Sequence, residues 1–302
     1  MTNPRLLAPP GRQGPGPIPR AVLERLDLLV RRRTSGALPG DRRSAGMGLG
    51  TELAQLRPYE VGDDVRQIDP SATARLGEPF VRLHVPERTL TTWIAVDVSP
   101  SMAFGTANRL KSDIAEGTAV ALSRLAVRRA GRVALMTFGA GEPRLLPPRA
   151  SKPGVVAVRR ALAEGVARDG EHDGGSMRDA LVRLGRVAAQ PGLVVVISDF
   201  RDQDDWIRPL GSLAAHHSVL AIEVRDPRET ELPSVGHLAV VDPETGEHLE
   251  VDTSSARVRA HFARIEAEGR ERIKKELRRL QVEHVVLSTG DDWLRELGRR
   301  LR

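Results

Sequence analysis

From Thr91 onward, short apolar runs alternate with longer stretches in which apolar residues recur every three or four positions. The runs Thr91 to Val98, Arg132 to Phe138, Leu193 to Ser198, Ser218 to Val224 and Val282 to Leu287 have the length and β-branched content of buried strands. Between them, helical spacing covers Asn108 to Arg129, Val155 to Val166, Ser176 to Ala188, Asp205 to Ala215 and Asp292 to Leu301. A longer helix carries Val258, Phe262, Ile265, Ile273, Leu277 and Leu280 on one side. His237 to Val241 and His248 to Asp252 read as a hairpin around Pro243 to Gly246. Continuous apolar strands separated by amphipathic helices predict an α/β fold: a doubly wound, mostly parallel, Rossmann-like sheet covered on both faces.

The first 90 residues follow a different rule. Residues 1 to 20 hold six prolines and three glycines and are expected to form a disordered tail. Ala21 to Arg33 reads as a short helix with Val22, Leu23, Leu26 and Leu29 on one face, and the glycine-rich Thr34 to Thr51 as a mobile loop. Leu56 to Val85 packs Arg57, Asp63, Asp64, Arg66, Asp69 and Arg75 around Gly62 and the single tyrosine, Tyr59, and its end, Pro79 to Val85, alternates like a strand. Such a block is either a loop tied by surface ion pairs or an Arg/Asp network that fixes an appendage or presents a partner surface. The expected organisation is a tail (1–20), an N-terminal segment (21–90) and an α/β domain (91–302).

Composition narrows the chemistry. The 302 residues include no cysteine, which excludes disulfides, thiolate metal sites and cysteine nucleophiles. No apolar run approaches the ~20 residues of a membrane helix, and the N-terminus lacks the apolar core of a signal peptide, so a cytoplasmic protein without membrane insertion is expected. The formal net charge of +6 raises a nucleic-acid reading. Charges of both signs are mixed along the chain and aromatics make up only 3%, so a solvated basic surface accounts for it better.

The candidate chemistry lies in W-I-A-V-D-V-S-P-S-M. Asp97, Ser99 and Ser101 follow an apolar strand, and Pro100 turns the chain out of it. One carboxylate and two hydroxyls from a single turn suit a hard cation such as Mg2+, which takes oxygen ligands and keeps several waters. The same residues are also ordinary helix caps. Two further loops add oxygen at comparable positions: Gly174-Gly175-Ser176, opening a helix, and Asp199, ending the most apolar strand. In open α/β sheets these positions border the ligand crevice.

The pattern Asp97-x-Ser99-x-Ser101, with Ser176 after a glycine pair and Asp199 after a later strand, resembles the metal-ion-dependent adhesion site of von Willebrand factor A-type (vWA) domains. Ser176 stands where those domains carry threonine. The block R-P-Y-E-V-G-D-D-V-R-Q-I-D, followed by T-A-R and by S-D-F at 198 to 200, resembles more narrowly the DUF58 family, which has such a block ahead of a vWA-like domain. That family usually carries Trp after I-D, where this chain has Pro70. The resemblance implies that Ser99 and Ser101 hold the ion directly, and that Asp97, Ser176 and Asp199 do so directly or through water. The ion would be Mg2+, or Mn2+ or Ca2+, with a position left for a partner's carboxylate. It further implies a non-enzymatic adaptor working with a MoxR-type AAA+ ATPase.

The rival class is a Mg2+-dependent phosphohydrolase built on Asp97. Position 99 is a serine rather than a second acid, and the chain has neither a G-x-x-x-x-G-K-[ST] loop nor a G-x-S-x-G elbow. His216 and His217, at a helix end, read as surface residues, and His172 is the histidine placed nearest the Ser176 loop. No catalytic residue is assigned.

Overall fold

The computed structural model describes residues 14–19, 52–85, 90–128, 130–167, 175–202 and 205–300. The sequence expectations for 1–13, 21–33 and 34–51 lie outside the described residues. The chain divides into two units, Gly40–Thr89 and the remainder.

In the smaller unit, strand β1 (Glu52–Pro58) pairs antiparallel with β2 (Phe80–Val85), and helix α1 (Pro70–Leu76) lies between them in sequence. Asp69 caps α1: its Oδ1 accepts from Ser71 N at 2.8 Å and Ala72 N at 2.9 Å, while Oδ2 takes Arg82 Nε at 2.7 Å. The bond from Arg82 and the helix amides hold its carboxyl down at about 2. Pro70 occupies the first helical turn, where a missing N–H costs nothing and a fixed φ helps, so proline is a sound occupant after Ile68-Asp69. Arg57 pairs with Asp63 at 2.5 Å. Two of the block's charged pairs, Arg57–Asp63 and Arg82–Asp69, thus lie within this unit.

The larger unit is built on a six-stranded sheet. Its strands are β3 (Thr91–Asp97), β4 (Arg132–Phe138), β5 (Arg144–Ala150), β6 (Leu193–Ser198), β7 (Ser218–Arg225) and β10 (Glu283–Ser288), in the order β10-β7-β6-β3-β4-β5. All neighbours are parallel except the edge pair β4–β5. A separate hairpin, β8 (His237–Val241) with β9 (His248–Asp252), follows β7. The helices are α2 (Lys111–Arg128), α3 (Ser151–Leu162), α4 (Met177–Val187), α5 (Ile207–Ala214), α6 (Ala256–Arg279) and α7 (Trp293–Arg300).

Strand periodicity sorts the core into two layers. Ile94, Val96, Val195 and Ile197 face α2, α3 and α7; Trp93, Ala95, Val194 and Val196 face α4, α5 and α6. Every residue of β3 after Thr91 is buried, as expected of a central strand covered on both sides. The α/β doubly wound prediction holds, with element limits displaced by a few residues. Among the described residues, no helix is long and apolar enough to cross a membrane.

Two features of the larger unit went unforeseen. Strand β5, R-L-L-P-P-R-A, contains two prolines, which argue against a strand; it sits at the sheet edge, and its pairing skips Pro147 and Pro148. Residues 14–19, placed by composition in a disordered tail, are packed. Gly14 N donates to Asp113 Oδ1 at 2.9 Å, Trp293 Nε1 donates to the Pro15 carbonyl at 3.2 Å, and Ile18 packs against the core. A side chain at Gly117 would collide with Pro15 and Trp293, so the absent Cβ makes room for this segment.

Candidate metal centre

Strand order reverses at β3: the chain leaves it toward β4 and later returns on its other side as β6. The crevice at the carboxyl ends of such a strand pair is where open α/β sheets bind ligands. Asp97 ends β3, and Ser198 ends β6 with Asp199 next in the chain. Ser198 Oγ donates to Asp97 Oδ2 at 2.6 Å, tying the two strand ends, and Ser99 N donates to Asp97 Oδ1 at 2.9 Å.

The capping explanation fails for the first turn and holds for the second. Ser99 precedes a 3-10 turn over Pro100–Ala103 but its hydroxyl caps nothing; it lies 3.0 Å from the hydroxyl of Ser101. Both serines are buried. Two buried hydroxyls joined by one hydrogen bond still leave lone pairs available to a cation. Ser176, by contrast, is the cap of α4, and its Oγ accepts from Asp179 N at 3.2 Å.

The loop after β4 joins the Asp97 turn to the Ser176 turn. Gly139 N donates to the Gly175 carbonyl at 2.6 Å. Gly139 has φ +90°, and a Cβ there would lie 2.7 Å from Ser99 N and 2.8 Å from Asp97 Oδ1. A Cβ on Gly175 would meet the Gly141 carbonyl at 1.9 Å. Only glycine permits this approach. All five sequence-identified oxygen residues thus lie at one end of the sheet, buried, with Ser176 linked through Gly139 and Gly175.

Asp199 carries a counter-ion that the sequence did not announce. Lys111 Nζ, fully buried, donates to Asp199 Oδ2 at 2.7 Å and to Glu229 Oε1 at 2.6 Å. Asp199 Oδ1 accepts from Arg201 N at 3.1 Å. Phe200, next in the chain, adopts φ +57°, a strained conformation for a bulky residue, and is fixed by an edge-on contact with Trp206 at 5.3 Å.

The two aspartates are electrostatically unlike. Burial pushes the Asp97 carboxyl up to about 7, the charge of Asp199 adds to this, and the hydrogen bonds from Ser198 and Ser99 oppose it. Burial acts on Asp199 in the same sense, but the charge and hydrogen bond of Lys111 outweigh it and hold Asp199 below the usual carboxylate range. Asp97 accepts from neutral donors, Ser99 N and Ser198 Oγ, and among the described residues no cation pairs with its ionised form as a buried carboxylate requires. A divalent ion fits that deficit. Among the described residues, no three His, Asp or Glu are grouped to hold a metal, so a cation here depends on the serine hydroxyls.

Sequence reasoning missed Lys111, Gly139, Ser198 and Glu244; Glu244 Oε1 accepts from Ser101 N at 3.3 Å. Lys111 could have been found, because it shares the helical face of Ile114, Ala115 and Thr118, all buried. Nothing local marks Glu244. His216 is exposed as expected, but His217 is buried, and burial lowers its pKa. His172 and Gly174 lie outside the described residues.

Fold and site together define a doubly wound α/β domain with an acidic, hydroxyl-lined centre at its switch point. Residues 55–272 match the family described as "Protein of unknown function DUF58", and the chain belongs to that family. The uncharacterized protein Rv1480 of Mycobacterium tuberculosis is 37% identical over 280 residues, covering 92% of this chain and 87% of its own length. The uncharacterized protein MAV169 of Mycobacterium avium is 39% identical over 125 residues, covering 41% of this chain and 73% of its own. Among solved structures, an aerotolerance-related membrane protein of Bacteroides fragilis aligns at 16% identity and TM-score 0.46, covering 70% of this chain and 98% of that one. The SpRpn10 VWA domain aligns at 12% identity and TM-score 0.39, covering 69% of this chain and 93% of that one.

Proposed function

We propose that this protein is a metal-dependent protein-binding adaptor whose centre is formed by Asp97, Ser99, Ser101, Ser176 and Asp199. The observation that carries the reading is the buried Ser99–Ser101 hydroxyl pair beside Asp97, a carboxylate with neutral partners, at the switch point of the sheet. Ser99 and Ser101 would hold Mg2+, or Mn2+ or Ca2+, directly, with Asp97 supplying charge. Asp199, occupied by Lys111 and Arg201 N, and Ser176, occupied as a cap, would act through water. When bound, the ion supplies positive charge and a coordination position to an incoming carboxylate.

The ion serves here as a connector rather than a catalyst. Both oxygens of Asp97 already accept hydrogen bonds, which suits a fixed ligand better than an attacking nucleophile. The partner suggested by the family resemblance is a MoxR-type AAA+ ATPase, in protein assembly or activation. Calorimetric titration of Mg2+ or Mn2+ into wild type and Asp97→Ala tests the centre: heat in the wild type alone is expected, and equal heats in both overturn it. Capture of the ATPase that survives chelation overturns the metal bridge.

A further inference from the structure

Charges of both signs are mixed along the chain with one exception, the stretch from Arg124 to Arg160. It carries nine arginines and lysines and a single acid, Glu142, so its surplus exceeds the net charge of +6 of the whole chain. The rest of the chain is slightly acidic, and the positive charge belongs to one region. In the fold this region is the end of α2, strand β4, the edge strand β5 and helix α3.

The sheet edge gathers these charges. Arg132 opens β4 opposite Ala150, and Val133 pairs with Arg149 at the end of β5. The chain then folds straight back into α3, where a Cβ on Gly154 would lie 2.7 Å from the Arg149 carbonyl. Arg132, Arg149 and Lys152 therefore surround the junction of β5 and α3, and Arg159 and Arg160 follow about two turns along the helix. All five are exposed, and among the described residues none of them is in an ion pair. Arg144, by contrast, is paired with Glu164.

Charges and prolines on an edge strand discourage pairing with other sheets, which accounts for Arg149 and for Pro147 and Pro148. It does not account for the helix. No side chain caps α3, whose cap position is held by Ala150, so the positive end of its dipole adds to Arg149 and Lys152. Exposed apolar groups stand among the charges: Pro147 on β5, and Pro153 and Val156 on α3. A phosphate backbone has nothing apolar to set against them, and the only aromatic of the stretch, Phe138, is buried and offers no platform to bases. A helix that lies on a membrane needs a broad exposed apolar face, whereas Val158, Ala161 and Leu162 of α3 belong to the core.

Arginine forks take carboxylates through paired hydrogen bonds, and the proline and valine surfaces take apolar side chains set between them. From this we infer that the β5–α3 edge is a docking surface for an acidic segment of a partner protein, one in which carboxylates alternate with apolar side chains. A carboxylate of that segment supplies the cap that α3 lacks. The surface is independent of the metal centre: Arg132 begins β4, whereas Asp97 pairs with Phe138 at the strand's other end.

The test uses the full chain with a chelator present and follows the fluorescence anisotropy of a short labelled peptide in which glutamate and leucine alternate. Binding is expected, and it should weaken steeply as salt rises. A peptide alternating glutamate with serine should bind more weakly. Arg149→Glu, Lys152→Glu and Arg160→Glu combined should weaken binding of the first peptide about tenfold or more. Arg272→Glu, Lys275→Glu and Arg278→Glu combined, an equal charge change at exposed positions of α6, should leave it nearly unchanged. Thermal melts establish that both variants are folded. Absence of peptide binding, or equal losses in the two variants, overturns the surface. Tighter binding of a DNA duplex, or of vesicles of phosphatidylserine and phosphatidylcholine, overturns the protein partner in favour of a phosphate backbone or a membrane. Asp97→Ala should bind the peptide as the wild type does, so that this surface and the metal centre succeed or fail separately.

Discussion

Ser198 donates its hydroxyl to Asp97 across two neighbouring parallel strands, at 2.6 Å and fully buried. The same oxygen accepts from Phe200 N at 3.0 Å, so one small side chain both fastens the strand ends and supports the strained residue after Asp199. Ser198→Ala leaves a buried carboxylate oxygen without its donor. A loss of about 1–3 kcal/mol in unfolding free energy is expected in urea titration. Mn2+ affinity should fall in parallel, because Asp97 loses its orientation.

The stability of the metal-free protein should depend on pH through Asp97. Its folded pKa of about 7 lies above the unfolded value near 3.8, so its contribution is fully present below pH 4 and is lost as pH rises toward 7. For one group the steepest possible slope is about 1.4 kcal/mol per pH unit. Asp199 is shifted the opposite way, and its contribution changes only below pH 4, outside this window. Chelated wild type should therefore lose stability between pH 4 and 7 relative to Asp97→Asn, and saturating Mg2+ should flatten the difference. Parallel slopes for the two chelated proteins in thermal melts would contradict the buried, cation-deficient Asp97.

Lys111 compensates two carboxylates from inside the core. Lys111→Met removes the cation and leaves Asp199 and Glu229 facing each other, so a loss of about 3–5 kcal/mol is expected. Adding Asp199→Asn should recover part of that loss, and a double-mutant cycle in denaturant measures the coupling.

Gly139→Ala places a methyl group against Ser99 N and Asp97 Oδ1 in a backbone conformation that alanine disfavours. Overpacking of this kind costs about 1–3 kcal/mol. The Ser99 turn should be displaced, and Mn2+ heat should disappear in calorimetry while the far-ultraviolet dichroism of the sheet is kept.

What the sequence revealed follows from the range of each signal. Strand and helix periodicity is local, so β3, β6 and the hairpin were legible to within a residue or two. The five oxygen residues could be picked out because they follow a strand, as Asp97, Ser99, Ser101 and Asp199 do, or open a helix, as Ser176 does. Strand β5 was hidden by prolines that only an edge can accommodate, and α1 by a proline that reads as a breaker until its capping Asp69 is seen. Lys111 and Glu244 act across separations of 88 and 143 residues, and no local pattern encodes such meetings.

The link between Asp97 and Ser198 spans 101 residues of chain. Contacts of that range must close a large loop before they are rewarded, which places them late in folding. The cradle for an ion would then be missing from partly folded chains and would arise only when the central strands join. An ion binding there would act on the unfolding rate far more than on the folding rate, as a latch set after assembly rather than a nucleus for it.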